Sequence, residues 1–394
     1  MSQSLTFWQN IPSIHQAPLI RAVARRWPGT VRVVTEKDVS EHRLAQGWER
    51  PDFGKAELIL SPNREVRCAL IDDGTSKDDV HLFSGFNAYP ETYWTLMRLA
   101  RSDAVLGVMV EPGRHTDGFK THLRRLKHRA LAWRWRKRLA LVLATGDLGC
   151  VWWQSAGFPA DKVAPFGYFV APLDKDLLSA PGLGSKARVF RMLYVGQLIQ
   201  RKAPDVLFRA LAMLDAKGWV LDIIGNGPEE ALYKRFTEKT ELFGSVYWRG
   251  TMPNAQVLSY MAQADLFILP CRFDGWGAVV NEALTVGTSV LASDACGASC
   301  LLAVDRLGKV FPSEDSAVLS RALQERLDCG CLTHEQRAQI REWASRAIAP
   351  EAAADYLLDI LQRARMRRPF SELSPPWVTA LQSNIGLLEK TTLR

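Results

Sequence analysis

The sequence lacks the features that mark membrane-spanning, secreted and disulfide-stabilised proteins. No apolar run approaches the roughly 18 residues that a membrane-spanning helix needs. The N-terminal residues MSQSLTFWQN contain no basic segment ahead of an apolar core, so a secretory signal is not expected. The seven cysteines are odd in number and scattered, which favours a reducing compartment over a disulfide framework. The predicted location is therefore the cytoplasm, with the inner face of the membrane as an alternative.

Metal and dinucleotide signatures are also missing. The close cysteine pairs Cys296/Cys300 and Cys329/Cys331 have no histidine cluster near them, so a zinc site is not predicted. The GNGP run at 225–228 does not follow the Gly-x-Gly-x-x-Gly pattern of nicotinamide-binding proteins. No Asp-x-Asp motif ends a predicted strand. We expect neither a metal site nor a cofactor.

Acidic residues are absent between Gly118 and Gly146, where cations are abundant. Those cations are Lys120, Arg124, Arg125, Lys127, Arg129, Arg134, Arg136, Lys137 and Arg138. Apolar side chains at 123, 126, 130 and 133 recur at helical spacing, which predicts an amphipathic helix. Two interpretations stay open for residues 118–138. One is contact with an anionic membrane surface, and the other is a helix packed on a sheet with its basic face in water.

The whole chain is basic, with a formal net charge of +8. Such a charge favours anionic partners, which include nucleotides, phospholipid surfaces and nucleic acids. No nucleic-acid-binding motif accompanies the charge, so a nucleic acid partner is not expected.

The chain length of 394 residues is too great for one compact core and predicts two domains. Predicted strands and helices alternate along the sequence, which is typical of α/β domains with parallel sheets. The strands are predicted from short apolar runs, of which residues 68–71 are one. We predict a first domain over 1–172, a linker over 173–187 and a second domain over 188–350, with a C-terminal helix and tail over 351–394.

Residues 264–294 are the stretch around which the second half is organised. A continuous apolar run predicts a buried strand at 265–270, and the DGWG sequence at 274–277 predicts a turn. A helix is predicted over 278–286, ended by Gly287 in a left-handed conformation and followed by another strand.

This arrangement suits a phosphorylated sugar ligand. The N-terminus of the 278–286 helix has free N–H groups and a positive dipole end, which favour a phosphate. Helical side chains lean towards the N-terminus, so Glu282 can reach back towards the same ligand. A carboxylate there is better suited to sugar hydroxyls than to the phosphate itself. A nucleoside diphosphate sugar has all of these parts.

Asp274 and Glu282, with seven residues between them, resemble the Glu-x7-Glu signature of retaining glycosyltransferases of family 4, which have the GT-B fold. The Gly-x-Gly between them and the NEAL run after them match that family as well. The first carboxylate departs from the pattern, because the family more often has Glu there. The resemblance implies two Rossmann-like domains that face a central cleft, with a C-terminal helix that returns to the first domain.

Motifs upstream extend the resemblance along the second half. Arg201 and Lys202 are adjacent cations that precede a predicted helix and could clamp a diphosphate. Both match the family. Two nearby positions depart from it, because Gln197 replaces its usual Arg and Ala203 its usual Gly. The implied catalytic residues are Arg201, Lys202, Asp274 and Glu282. The implied donor-binding residues are Gly196, Gln197, Gly225, Gly227, Gly250, Gly275, Trp276, Gly277 and Ala278.

The acceptor side is predicted from loops that follow strands of the first half, because α/β folds place ligands at the carboxyl ends of parallel strands. The candidates are His15, Gln16, Gly85, Glu111, Arg114 and His115. Polar loops without a ligand explain these residues equally well.

The resemblance implies a retaining, metal-independent hexosyltransferase. Its substrates would be a nucleotide diphosphate sugar and a saccharide or lipid-linked saccharide acceptor, in the assembly of surface polysaccharide or lipopolysaccharide. The alternatives are a nucleotide-sugar epimerase or sugar phosphorylase on the same fold, or a non-catalytic sugar- or lipid-binding relative.

Overall fold

The computed structural model describes residues 3–39, 50–114, 119–171, 189–370 and 372–382. The chain forms two compact units, each built on its own parallel sheet. Unit 1 contains Met1–Ala171 and Ala347–Arg394, and unit 2 contains Pro172–Arg346. The linker predicted over 173–187 lies outside the described residues.

Unit 1 contains a seven-stranded parallel sheet. Its strands are β1 (Ser4–Gln9), β2 (Thr30–Thr35), β3 (Glu57–Leu60), β4 (Val80–Ser84), β5 (Val105–Val110), β6 (Leu141–Thr145) and β7 (Val163–Phe166). They lie in the order β3-β2-β1-β4-β5-β6-β7, so the strand order reverses between β1 and β4. All six residues of β1 are buried, including the polar residues Ser4, Thr6 and Gln9, as expected for a central strand covered on both faces.

In the described part of unit 1, helices connect most of these strands. They are α1 (Ala17–Arg26), α2 (Arg64–Asp73), α3 (Pro90–Leu99), α4 (Phe119–Trp135) and α5 (Gly146–Ser155). The short apolar run at 68–71, predicted as a strand, lies inside α2, so that prediction was wrong. The physical reason is the cap: the Asn63 side chain accepts a hydrogen bond from the Val66 backbone N–H at 2.9 Å and starts a helix.

Unit 2 contains a six-stranded parallel sheet. Its strands are β8 (Phe190–Val195), β9 (Trp219–Ile224), β10 (Val246–Gly250), β11 (Leu266–Leu269), β12 (Ser289–Ser293) and β13 (Gly308–Phe311). They lie in the order β10-β9-β8-β11-β12-β13, which reverses between β8 and β11. Open α/β sheets bind ligands at the carboxyl ends of strands beside such a reversal.

The helices of unit 2 alternate with its strands. They are α6 (Pro204–Leu211), α7 (Glu230–Glu238), α8 (Asn254–Gln263), α9 (Ala278–Val286), α10 (Ser316–Cys329) and α11 (His334–Ala347). Helix α9 has the predicted bounds and ends at Gly287 with φ 88°, the left-handed conformation expected from the sequence. Each unit is thus a Rossmann-like α/β fold, as predicted.

The C-terminal helix α12 (Pro350–Met366) belongs to unit 1 and packs against α1. The Arg25 guanidinium pairs with the Glu351 carboxylate at 2.6 Å, and the Tyr356 hydroxyl donates to the Pro165 carbonyl at 3.1 Å. The tail beyond it, which the sequence left unassigned, buries the Trp377 indole near the Phe169 ring. The centroids of these two rings are 6.4 Å apart.

Helix α4 packs through a face that the sequence pattern did not predict. Thr121, Ala132 and Trp135 are buried on this helix. The apolar stripe at helical spacing, which includes Leu123 and Trp133, is exposed. The helix thus packs on unit 1 with most of its cations in water, and contact with a membrane surface stays a prediction. Within the described ranges, no helix has the length and apolar character needed to cross a membrane.

Candidate functional site

Glycines predicted to bind the donor meet at the carboxyl ends of β8, β9 and β10. The Gly196 backbone N–H donates to the Ile224 carbonyl at 3.0 Å, and the Gly225 N–H donates to the Gly250 carbonyl at 2.8 Å. Gly225 has φ +129°, and a Cβ there would lie 2.0 Å from the Gly196 carbonyl oxygen. Only glycine allows this approach of two chain segments.

The loops after β8 and β9 are fixed by backbone contacts. The Leu198 N–H donates to the Asn226 carbonyl at 2.8 Å, and Gly227 packs against the Leu198 backbone. The Tyr194 hydroxyl donates to the Gln197 carbonyl at 2.9 Å, while the Gln197 residue is exposed. The loop therefore has a fixed backbone and presents residue 197 to solvent.

Both predicted cations lie in a short 3-10 turn, Gln200–Lys202, directly before α6. The Arg201 Nη1 donates to the Phe273 carbonyl at 3.1 Å, and the Lys202 ammonium forms an ion pair with the Asp274 carboxylate. Ala203, which replaces the usual Gly of the resembled family, has φ 52° and ψ 45°. The backbone therefore keeps the left-handed conformation at this position, although Ala pays a steric penalty there.

Arg272 organises the same loops and was missed by the sequence reasoning. Its guanidinium makes two hydrogen bonds to the Asp205 carboxylate, at 2.8 and 2.7 Å. It also donates to the Gln200 carbonyl at 2.7 Å and to Glu314 at 3.0 Å. It therefore fixes the turn that carries the two cations relative to the strand end that carries the carboxylate. No local pattern indicates a pairing across 67 residues.

The turn between β11 and α9 is built against a neighbouring loop. The Gly297 N–H donates to the Asp274 carbonyl at 3.0 Å. Of the two glycines in the turn, Gly277 has a positive φ, +92°, and Gly275 does not. A Cβ at Gly277 would lie 2.7 Å from the Cys296 Sγ, so this position needs glycine for both conformation and space.

Helix α9 begins at Ala278, with Gly277 as its N-cap and no side-chain cap on its first turn. Its N-terminal N–H groups thus suit an anion, and anion binding there stays a prediction. Trp276 contributes only backbone to this place. Its indole is 1% exposed and donates to the Asn281 side-chain oxygen at 2.8 Å, so the ring is part of the core.

Glu282 is buried inside the first turns of α9. Its Oε1 accepts a hydrogen bond from the Asn254 side-chain amide, at the start of α8, at 3.1 Å. Burial raises the pKa of this carboxyl to about 7, and the Asn254 contact opposes that rise. Asn254, the first residue of α8, is a second residue that sequence reasoning missed.

Four of the six acceptor candidates lie around one cavity of about 630 Å³ in unit 1. It opens at the carboxyl ends of β1 and β4, where the strand order reverses, and His15, Gln16, Gly85 and Glu111 line it. The Tyr168 hydroxyl donates to the Glu111 Oε1 at 2.8 Å and its ring stacks with His15, with 6.2 Å between centroids. Sequence reasoning thus found residues that the fold brings together.

The other two acceptor candidates have different outcomes. Arg114 does not line this cavity, and its carbonyl accepts a hydrogen bond from the Arg124 guanidinium. His115 lies outside the described residues.

Buried polar atoms also face the cavity of unit 1. The Gln9 side-chain oxygen is buried and, within the described residues, has no hydrogen-bond partner. His128 Nδ1 accepts a hydrogen bond from the Trp152 indole at 2.6 Å, which assigns its proton to Nε2. Burial lowers the pKa of His128 to about 4, so the ring is a neutral donor at pH 7. The cavity thus offers acceptors and donors suited to an uncharged polyol.

No group of three or more His, Cys, Asp and Glu side chains that could hold a metal ion occurs in the part of the chain that the structure describes.

Residues 181–346 match the family model described as glycosyl transferases group 1. The α-D-kanosaminyltransferase of Streptomyces kanamyceticus is 25% identical over 234 residues, which are 57% of this chain and 58% of that protein. The amylovoran biosynthesis glycosyltransferase AmsK of Erwinia amylovora is 26% identical over 221 residues, which are 52% and 54% of the two chains. The chain spans about half the length of the curated relatives it matches.

Solved structures resemble the chain over nearly its whole length. HepE of Anabaena, crystallised with UDP, superposes with a TM-score of 0.68 and 16% identity, over 91% of this chain and 99% of that one. The glycosyltransferase WaaG, which is involved in lipopolysaccharide biosynthesis, superposes with a TM-score of 0.59 and 19% identity, over 89% and 98%. With its seven- and six-stranded parallel sheets, the chain has the GT-B fold, and its sequence similarity to glycosyl transferases group 1 lies in unit 2.

Proposed function

We propose that the chain is a retaining glycosyltransferase that moves a hexosyl unit from a nucleotide diphosphate sugar to a hydroxyl of a saccharide or lipid-linked saccharide. The process it serves would be assembly of a surface polysaccharide or lipopolysaccharide. Relatives named for such pathways, of which AmsK is one, support that assignment. The donor would bind unit 2 and the acceptor would bind unit 1.

One observation carries the donor assignment: the Lys202–Asp274 ion pair lies directly before the uncapped N-terminus of α9. A departing nucleoside diphosphate gains charge, and prearranged cations and N–H groups stabilise that charge without a metal ion. Arg201 supplies the second cation, and its bond to the Phe273 carbonyl holds it beside the pair. Asp274 would accept hydrogen bonds from the sugar, and Glu282 from the ribose.

The cavity of unit 1 supports the acceptor assignment. Among the described residues that line it, the charged ones are Lys127 and Glu111, whose charges offset each other, so an uncharged acceptor suits this lining better than a phosphorylated one. Buried aromatic rings of Phe86 and Trp153, with centroids 5.0 Å apart, form part of the wall. Sugars pack their C–H faces on such surfaces while their hydroxyls find polar partners.

Among the described residues of the donor site, no side chain is placed as an obvious nucleophile. We therefore favour departure of the diphosphate and arrival of the acceptor on the same face of the sugar. The leaving phosphate would take the acceptor proton, and the configuration at the anomeric carbon would be retained.

Calorimetric titration with several nucleotide sugars tests the donor assignment, and incubation of the best binder with candidate saccharides tests transfer. Proton NMR of the first product reports the anomeric configuration. Retention supports the proposal and inversion contradicts it. Consumption of donor without any acceptor would instead indicate an epimerase. Release of a sugar 1-phosphate from a saccharide by inorganic phosphate would indicate a phosphorylase.

A further inference from the structure

We propose that the exposed face of helix α4 docks unit 1 onto an anionic lipid bilayer. The docking face consists of the apolar residues Phe119, Leu123, Leu126 and Trp133, with the cations beside them. The inference does not depend on the proposed activity, because it concerns a surface on the outside of unit 1.

The apolar side chains of this face lie in water. Phe119 is 73% exposed, Leu123 49%, Leu126 59% and Trp133 72%. Their spacing of four, three and seven residues puts them on one side of the helix, where Ala130, also exposed, fills the gap. Single exposed apolar residues need no explanation, but a continuous stripe with two large aromatic rings marks an interaction surface.

Cations border the stripe on both sides. Lys120, Lys127 and Arg134 recur every seven residues along one border, and Arg125 and Arg129 are four residues apart along the other. All five are exposed, and no acidic residue occurs between 118 and 146. An apolar stripe with basic borders is the pattern of helices that lie in the interface of anionic membranes.

The helix cannot rotate to bury this stripe within unit 1. Its opposite face is fixed in the core by Ala132 and Trp135, both fully buried. His128, on the same side, accepts the Trp152 indole hydrogen bond and stacks on Trp153 with 4.6 Å between ring centroids. Docking would therefore use a preformed surface and would not require refolding of the helix.

Charge decides between a bilayer and a second copy of the chain. A twofold dimer through α4 would bring the same stripe, with the same cations, against itself. Like charges brought together across an interface oppose association. An anionic bilayer supplies the opposite charge along the whole helix together with an apolar interior for the rings, so we commit to the bilayer.

The docking face also explains a feature of the cavity in unit 1. Lys127, His128 and Leu131 of α4 line that cavity. If the cavity holds the acceptor, as the proposed function requires, docking would keep one of its walls at the membrane, where a lipid-linked saccharide is anchored.

The test is cosedimentation of the full chain with vesicles, without donor or acceptor. Vesicles of phosphatidylglycerol and phosphatidylcholine should bind the chain, and vesicles of phosphatidylcholine alone should bind it far less. The double variant Phe119→Ser/Trp133→Ser should lower the partition coefficient by about tenfold or more. The triple variant Lys120→Glu/Arg125→Glu/Arg129→Glu should lower it on the order of 100-fold, since each cation contributes about fivefold.

Matched controls lie on unit 2. Phe243 is 74% exposed and Leu232 63%, so Phe243→Ser/Leu232→Ser removes a similar apolar area and should leave vesicle binding unchanged. Trp133→Phe should keep binding, but it should reduce the quenching of tryptophan fluorescence by lipids with brominated acyl chains. Circular dichroism and thermal unfolding confirm that each variant is folded.

Three results would overturn the proposal. The first is equal binding to anionic and neutral vesicles, or none to either. The second is a loss of binding in the unit 2 control as large as in the α4 variants. The third is absence of vesicle binding together with a dimer, measured by sedimentation equilibrium, that Phe119→Ser/Trp133→Ser converts to monomer. Failure of glycosyl transfer would not affect any of these readings.

Discussion

The Lys202 ammonium pairs with the Asp274 carboxylate across 72 residues of sequence, at a place where both side chains are largely buried. Their side chains are 14% and 15% exposed. The cation assigned to the diphosphate and the carboxylate assigned to the sugar are therefore one unit in the ligand-free chain. Each contacts the other, so loss of the Lys202 ammonium should also release the Asp274 carboxylate.

Replacement of Lys202 by Ala should lower turnover by about 100-fold or more, because the departing diphosphate would lose a fixed positive charge. Asp274 would also lose its partner. Arg201→Ala should act in the same direction. Initial rates at saturating donor are the measurement, with Lys217→Ala, an exposed lysine of unit 2, as control. Near-full activity in both variants would place the diphosphate elsewhere.

The two carboxylates should separate in nucleotide binding. Glu282→Ala should weaken binding of the free nucleoside diphosphate by about 1–3 kcal/mol, because ribose hydroxyls would lose a buried acceptor. Asp274→Ala should leave that affinity nearly intact and lower turnover of the donor sugar instead. Calorimetric titration of both variants with the nucleotide decides the matter. If the two results are exchanged, the assignment of the carboxylates is reversed.

Glu282 should make the stability of the ligand-free chain depend on pH. Its pKa is raised by burial from 4.5 to about 7, so the folded chain binds this proton more tightly than the unfolded chain does. The free energy of unfolding should therefore fall as pH rises from about 4.5 to 7. Glu282→Gln mimics the protonated form and should be more stable than the parent at pH 8, by on the order of 2–3 kcal/mol. At pH 4 the two should be equal. Urea unfolding at both pH values measures the difference, and a constant difference at the two would contradict it.

Activity should survive removal of divalent cations. The proposed leaving-group stabilisation uses Arg201, Lys202 and the N-terminus of α9, so EDTA followed by desalting should leave the rate unchanged. The rate is measured with and without added Mn²⁺ or Mg²⁺. Loss of activity that manganese or magnesium restores would indicate a diphosphate held by a metal.

Arg272 should act as a positioning residue. Its two bonds to Asp205 and its bond to the Gln200 carbonyl fix the turn that carries Arg201 and Lys202. Arg272→Ala should lower the free energy of unfolding by about 2 kcal/mol and also lower turnover. Arg272→Lys should recover part of the stability but less of the turnover, because a lysine cannot make the paired bonds. Arg321→Ala, an exposed arginine in α10, is the control for thermal unfolding and initial rates. A normal rate in Arg272→Ala would show that the turn keeps its position without this clamp.

The local pattern of apolar residues and glycines was sufficient to predict much of the fold. Parallel strands such as β5 and β11 are short continuous apolar runs. Helix α9 is bounded by Gly277 and Gly287, which both have the left-handed backbone conformation that favours glycine. The alternation of these elements predicted two Rossmann-like units, because buried parallel strands and their connecting helices carry their signal within a few residues. The strand prediction for residues 68–71 was wrong because an apolar run of four residues suits a strand or a helix equally. The Asn63 cap favours the helix.

Contacts between distant residues were decided by tertiary structure alone. The sequence predicted Lys202 and Asp274 as separate members of one site, but their pairing depends on β8 and β11 being neighbours in the sheet. The pairing of Arg272 with Asp205 and the burial of Glu282 under Asn254 have the same origin. For α4, periodicity identified two faces but could not say which one packs. The side chains of Ala132 and Trp135 fill space in the core of unit 1, and their fit leaves the apolar stripe of Phe119 and Trp133 in water.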